Sequence, residues 1–492
     1  MRLPSFLIIV VTSPWIAASS CPPSTRGPLP PLSVSQGSPF AETSVAVIPT
    51  TDGPSSRNYV VAFNAYNPVG LGASPAWSVS TDLGGSWTRQ KESDPGFAFG
   101  APAEVDPASF GGWGPDPTVV WTGQPNQVAF VGLANGLDVG IAVSTDGGKH
   151  FGRAHIVNDA ESGGADEPTA ALEPNTKDLW VFWRSLHAQN AWVRRARFDA
   201  QGNLQFTSAV IAIRSNPVPV YPAAIAAGTF HGASHVAIAY PDVDDSGTCL
   251  PSPASGQSFF NPEPVNYYVA FSPDGGTSWS TIKVAHDDAW PRCVTGSNLI
   301  SGHNRYNRNR PAIGIIRNFL VALTLSSPTG SLVHVFNVDP YGGPNVSDIG
   351  SWPPPDGARH DQFLPALAIA RVPDARFVDN VRFGIAVTWH DTRDDGAFGT
   401  TGTPDMNTRQ VIFGTTAVGT GGFSAGLVSL ATGTPTNGQF PWINTSNGTA
   451  GASWGDYEGL AADDVTGNFV AAWADNRTGG DTEVWGAVLR PF

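Results

Sequence analysis

Apolar positions come in short runs, not at helical spacing, and the runs come in pairs. A segment opening on a polar residue passes into a small apolar stretch, and a second, more apolar stretch follows it. The pair recurs seven times. The openings are Glu42-Thr43-Ser44-Val45, Asp116-Pro117-Thr118-Val119, Glu167-Pro168-Thr169-Ala170, Tyr221-Pro222-Ala223-Ala224, Arg310-Pro311-Ala312-Ile313, Leu364-Pro365-Ala366-Leu367 and Glu458-Gly459-Leu460-Ala461. The partners begin at Tyr59, Val128, Leu179, His235, Phe319, Gly384 and Phe469, and runs of this length and composition predict strands.

Three of the units continue into a nearly identical phrase: Ser80-Thr81-Asp82-Leu83-Gly84-Gly85-Ser86-Trp87, then Ser144 to Phe151, then Ser272 to Trp279. Asp accepts hydrogen bonds from N–H groups just ahead of it, and Gly supplies the positive φ of a tight reversal. Each phrase therefore predicts a hairpin joining a third strand to a fourth. Asp82, Asp146 and Asp274 are expected to be structural residues of those turns. Repeats of about four short strands predict an all-β chain folded as a β-propeller of seven blades, with six as the alternative. The last unit ends after its third strand, near Leu489, while Leu32-Ser33-Val34-Ser35-Gln36 stands unassigned before the first. Residues 21–40 are thus expected to complete the last blade, and 41–492 to form a single propeller domain.

Composition narrows the function. The 492 residues carry a formal charge of −14 and a pI near 5.0, which speaks against a nucleic-acid partner. Residues 1–20 hold one Arg, an apolar stretch from Phe6 to Val11 and small residues up to Ser20. They read as a secretory signal peptide, too short for a transmembrane anchor. The expected location is outside the cell, either secreted or held at the surface by a lipid on Cys21, since Ala18-Ser19-Ser20-Cys21 approximates a bacterial lipobox. The other two cysteines, Cys249 and Cys293, form one disulfide or remain free thiols. A monomer is expected.

The Ser-x-Asp-x-Gly-x-x-Trp phrase resembles the Asp-box, or BNR repeat, of the sialidase superfamily. The phrases Gly455 to Ala461 and Trp473-Ala474-Asp475-Asn476-Arg477 are similar to those of exported BNR-repeat proteins. The resemblance implies a sialidase-like propeller and an extracellular glycan or polysaccharide as partner. It also implies three arginines, a Tyr–Glu pair and an Asp as machinery, together with an early Phe/Tyr-Arg-Ile-Pro motif. The first unit here opens Glu42-Thr43-Ser44-Val45 and carries no such Arg.

Propeller geometry sorts the candidates, because alternating strands bring first-strand starts and second-strand ends to one mouth of the channel. The turns of Asp82, Asp146 and Asp274 fall at the opposite end. The catalytic candidates at the mouth are Asp456, Tyr457, Glu458, Asp166 and Glu167. The substrate-binding candidates are Arg308, Arg310, Arg359, His360, Asp361, Trp389, Arg393, Trp473, Arg477 and Tyr221. Arg184 and Tyr240 stand at the ends of second strands. Carboxylates serve acid/base work on glycosidic bonds, arginines hold anionic groups, and aromatic faces stack on sugars. Trp389-x-Asp391-x-Arg393 recurs as Trp473-x-Asp475-x-Arg477, which also fits a blade-to-blade salt bridge.

No cofactor is expected, although Asp242, Asp244 and Asp245 offer hard oxygen ligands for calcium without the full EF-hand spacing. No zinc, P-loop, dinucleotide or Ser-elbow motif is present. Two functions stay open. One is a glycoside hydrolase or, second to it, a polysaccharide lyase. The other is a non-catalytic propeller for binding, surface or protein interaction, its aromatic rim supplying affinity.

Overall fold

The structure is a computed structural model. It describes residues 32–35, 40–66, 73–90, 112–152, 154–158, 164–187, 190–214, 224–230, 233–241, 265–287, 311–317, 320–325, 332–338, 346–352, 362–373, 381–391, 410–418, 426–429, 458–475 and 483–489. Their regular structure is entirely strand, arranged in seven antiparallel sheets.

Blade one is Phe40–Pro49, Arg57–Tyr66, Ala73–Ser80 and Thr88–Arg89; blade two is Thr118–Trp121, Val128–Ala134, Asp138–Ser144 and His155–Ile156. Blade three runs through Ala165–Leu172, Leu179–Ser185, Ala191–Phe198 and Leu204–Phe206, with Val210–Ile213 also paired to its third strand. Blade four is Ala224–Phe230, Ala233–Pro241, Val265–Ser272 and Ser280–Asp287; blade five is Ala312–Arg317, Leu320–Leu325, Leu332–Val338 and Val346–Trp352. Blade six is Gln362–Pro373, Val381–Asp391, Gln410–Val418 and Gly426–Ser429. Blade seven joins Gly459–Ala462, Phe469–Asp475 and Glu483–Leu489 to the N-terminal strand Leu32–Ser33, so its members come from both ends of the chain.

Each first strand packs against the first strand of the next blade, and blade seven packs back on blade one, so the sheets close into a propeller. The second strands explain why their sequence reads as continuous apolar runs. In blade one, Val60 and Ala62 join the core shared with blade two, while Tyr59, Val61 and Phe63 join the core shared with blade seven. A strand buried on both faces has no polar side to alternate with.

The three repeated turns have one construction. The hydroxyls of Ser80, Ser144 and Ser272 accept the N–H of Gly84, Gly148 and Gly276 at 2.8, 2.9 and 2.7 Å, and donate to the aspartate two residues on. Those glycines hold φ of 85°, 90° and 84°. A Cβ on Gly148 would run into Val60, and one on Gly276 into Trp180, each side chain belonging to the blade before. The Nε1 of Trp77 in blade one donates to the Gly148 carbonyl at 2.9 Å. Each turn thus folds itself with an aspartate and seats itself on its neighbour with a glycine.

This construction makes stability depend on pH. The Asp82 carboxyl lies below the usual 3.8, chiefly through the Ser86 hydroxyl, with Ser80 and the Ser86 N–H adding to it. At Asp146 and Asp274 partial burial pushes the carboxyl up. It is outweighed by bonds from His150 and Ser144 in the first case and from Ser278 and Ser272 in the second. A pKa depressed by folding gives stability that is complete above the unfolded value near 3.8 and disappears as pH falls through the folded values. The triple Asp→Asn variant at 82, 146 and 274 should therefore melt lower than the parent at pH 7 and lose less of its melting temperature between pH 5 and about pH 2. Parallel melting profiles for the two proteins across that range would refute this account.

Candidate functional site

At the channel mouth, the first strands begin with bulges. Register shifts fall between Ala41 and Ser44 in blade one, Asp166 and Thr169 in blade three, and Phe363 and Ala366 in blade six. Three consecutive blades place an acidic residue at the equivalent step with left-handed backbone: Glu42 at φ 56°, Asp116 at 65° and Glu167 at 44°. Non-glycine residues are uncommon there, and a bulge turns a side chain away from the ordinary pleat.

Much of this acidic set is held by the protein itself. The Glu42 carboxylate accepts a hydrogen bond from Asn64 Nδ2, and Asn64 Oδ1 accepts the Asp116 N–H at 3.2 Å, which links blades one and two. Glu458, 9% exposed, accepts the Ala474 N–H at 3.2 Å. The Thr43 hydroxyl stands 3.0 Å from Glu458 Oε2 and 2.7 Å from the Ala472 carbonyl, with one proton between them, and accepts the Gly459 N–H at 2.8 Å. Glu458 therefore sits in the joint between blades seven and one.

Asp166 differs, since it is part-exposed and forms an ion pair with Arg184 at 2.6 Å, the two side chains being 27% and 12% exposed. Strand parity orients this pair. Phe182 belongs to the core between blades three and four, so Arg184, two residues on, points to the same crevice. From the opposite wall, Tyr240 packs against that core and stacks on Tyr268, ring centroids 5.5 Å apart at 21°. Both tyrosines are half-buried, and they oppose each other across the second and third strands. The crevice thus combines a salt-bridged acid, a guanidinium and an aromatic pair.

One expectation, that Trp389 and Trp473 present their rings at the channel mouth, is corrected. Trp389 and Trp473 are 2% and 1% exposed, and Trp473 packs in the core between blades six and seven. Their strands turn these rings inward, so they offer no face to a sugar. Asp166 and Glu167 lie next to one another in one bulged strand, whereas Glu458 belongs to blade seven. Asp456, Tyr457, Tyr221, Arg308, Arg310, Arg359, His360, Asp361, Arg393 and Arg477 lie outside the described residues. So do Asp242, Asp244, Asp245 and the three cysteines. Among the described residues no three His, Cys, Asp or Glu side chains come together as a metal site would need. Tyr268 escaped the sequence reading, and its only signal there is its place opposite Tyr240.

No protein-family model matches the chain, and no curated protein matches it in sequence. Solved structures similar to it include a sialidase from Trypanosoma rangeli in complex with 2,3-difluorosialic acid, at 11% identity and a TM-score of 0.36. That match covers 93% of this chain and 56% of the sialidase, so the chain spans little more than half the sialidase's length. An ulvan lyase, a polysaccharide lyase, matches at 10% identity over 94% of both chains, with a TM-score of 0.43. An α-L-arabinofuranosidase from Fusarium graminearum matches at 11% identity over 74% of this chain and 92% of its own, with a TM-score of 0.37.

Proposed function

We propose that this is an exported, monomeric propeller that recognises an extracellular glycan at its channel mouth, in the crevice between blades three and four. The observation that carries the reading is that the Asp166–Arg184 pair and the Tyr240–Tyr268 stack belong to the two walls of that crevice. A sugar ring presents an apolar face to tyrosine, and its hydroxyls both donate to a carboxylate and accept from a guanidinium. Recognition is favoured over hydrolysis because Glu42 and Glu458 are engaged in hydrogen bonds to Asn64, Thr43 and Ala474, and Asp166 in its ion pair. Export rests on the character of residues 1–20, and surface anchoring on Cys21.

The test is a glycan screen of the protein lacking residues 1–20, recording binding, new reducing ends and unsaturated products together. Tyr268→Ala and Asp166→Ala should each weaken binding about tenfold while Asp456→Ala leaves it unchanged. Turnover that disappears in Asp456→Ala would replace recognition with catalysis, centred on blade seven. Binding indifferent to both crevice variants would remove the crevice from the site.

A further inference from the structure

The third strand of blade three, Ala191–Phe198, carries Arg194, Arg195 and Arg197 in a chain whose formal charge is −14. The three are used differently. Arg194 belongs to the fold, its Nε donating to the Thr207 carbonyl at 2.7 Å and its Nη1 to the Val157 carbonyl. Arg195 and Arg197 share the face of Val193, which lies in the core between blades three and four. The strand begins at the mouth, where Ala191 pairs with Arg184, so both arginines stand towards its far end.

Their guanidiniums converge on one carboxylate. Asp178, 3% exposed as a side chain, accepts Arg197 Nε at 2.5 Å on one oxygen and faces Arg195 Nη1 at 3.6 Å with the other. The Arg195 head also lies over the Trp180 ring, 5.9 Å from its centroid. A buried acid and a buried indole thus position two arginine side chains that remain 40% and 54% exposed. Among the described residues neither guanidinium donates to any other protein oxygen. One carboxylate for two cations leaves a positive charge over.

The neighbouring acids do not take it up. Asp199 accepts three hydrogen bonds from Gln201 and Asn203 of its own turn. Asp274, on the turn that sets Gly276 against Trp180, accepts four from Ser272, Thr277 and Ser278. At physiological salt, charges beyond about 8 Å are largely screened, so the arginine pair acts locally despite the acidic whole. Opposite Arg197 on the adjoining strand stands Gln205, exposed, with an amide that both donates and accepts. The paired donors of a guanidinium match a carboxylate or sulfate, and an amide matches a hydroxyl. An acidic sugar unit presents both groups together.

We infer that Arg195, Arg197 and Gln205 form a site for the carboxylate or sulfate group of an acidic polysaccharide. The site is at the opposite end of blade three from the mouth and shares no residue with the proposed crevice, so the two stand or fall separately.

The experiment is calorimetric titration of the full chain with oligogalacturonate, dextran sulfate, neutral dextran and polyglutamate, at low and high salt. Saturable binding of oligogalacturonate or dextran sulfate is expected, and whichever binds identifies the acid group. It should weaken at high salt, with no binding of dextran or polyglutamate. Gln205→Glu sets a carboxylate opposite Arg197 while leaving both partners of the buried Asp178 in place. It should weaken binding about tenfold with an unaltered melting curve. Arg195→Gln should weaken it about fivefold, as should Arg197→Lys, which keeps the charge and loses the planar fork. Tyr268→Ala, at the mouth, should change nothing. No binding of either acidic glycan, or binding indifferent to Gln205→Glu, would overturn the proposal. So would loss of binding in Tyr268→Ala, or polyglutamate bound as tightly as the glycans, which would make the partner an acidic polypeptide.

Discussion

Arg57→Ala should destabilise the protein by about 3–5 kcal/mol, the usual result of removing one partner from a buried ion pair. Arg57 and Asp463 are 4% and 1% exposed as side chains and join blade one to blade seven across 406 residues of chain. The loss leaves a buried carboxylate with the Thr466 hydroxyl at 2.8 Å and the N–H groups of Val465 and Thr466 at 3.0 and 3.4 Å as its remaining partners. The double variant Arg57→Met/Asp463→Leu should recover part of the loss, because an apolar pair of similar volume has no desolvation cost to offset. Urea unfolding at neutral pH measures both. A single variant within about 0.5 kcal/mol of the parent would show that the ring does not depend on this joint.

Deleting residues 22–37 should be at least as damaging. Val34 is fully buried in the core between blades seven and one. Its carbonyl accepts the Ser78 hydroxyl at 2.6 Å, its N–H reaches the Val484 carbonyl at 2.8 Å, and the Ser35 hydroxyl accepts the Val484 N–H at 3.0 Å. Removal exposes apolar surface and strands several backbone groups, together worth about 5 kcal/mol or more. It also leaves Glu483–Leu489 as an open edge that invites pairing with other chains. A lower melting temperature with concentration-dependent association is expected. A truncated protein that melts at the parent temperature as a monomer would contradict the described pairing of Leu32 with Gly486 and Ser33 with Trp485.

Strands buried on both faces were legible because their apolar runs leave little choice. The run from Leu179 to Trp183 lies in Leu179–Ser185, that from Gly384 to Trp389 in Val381–Asp391, and that from Phe469 to Trp473 in Phe469–Asp475. The turns were legible because Ser, Asp and Gly at that spacing have one economical way to satisfy each other. The bulges were not. Glu42, Asp116 and Glu167 carry none of the glycine or asparagine that normally marks left-handed backbone, and two of them precede a proline. One extra residue reverses the facing of everything before it, so which mouth residues point into a crevice could not be read by alternation. Trp389 and Trp473 show the same difficulty, since nothing local distinguishes a ring facing the core from one facing the cup. The joints Thr43–Glu458 and Arg57–Asp463 span more than 400 residues and leave no mark in any window of sequence.

The pairing of Leu32–Ser33 with Glu483–Leu489 also has a meaning in time. During synthesis the strand that closes the ring emerges before the blades and its partner after six of them, so blades one and six each wait for the neighbour that blade seven supplies. Contacts of such long sequence separation form slowly. A circular permutant that opens the chain within a loop of the middle blades and fuses residue 492 to residue 22 would make closure a local event. The waiting interval, and the aggregation it exposes the chain to, belongs to the position of the ends and not to the finished structure.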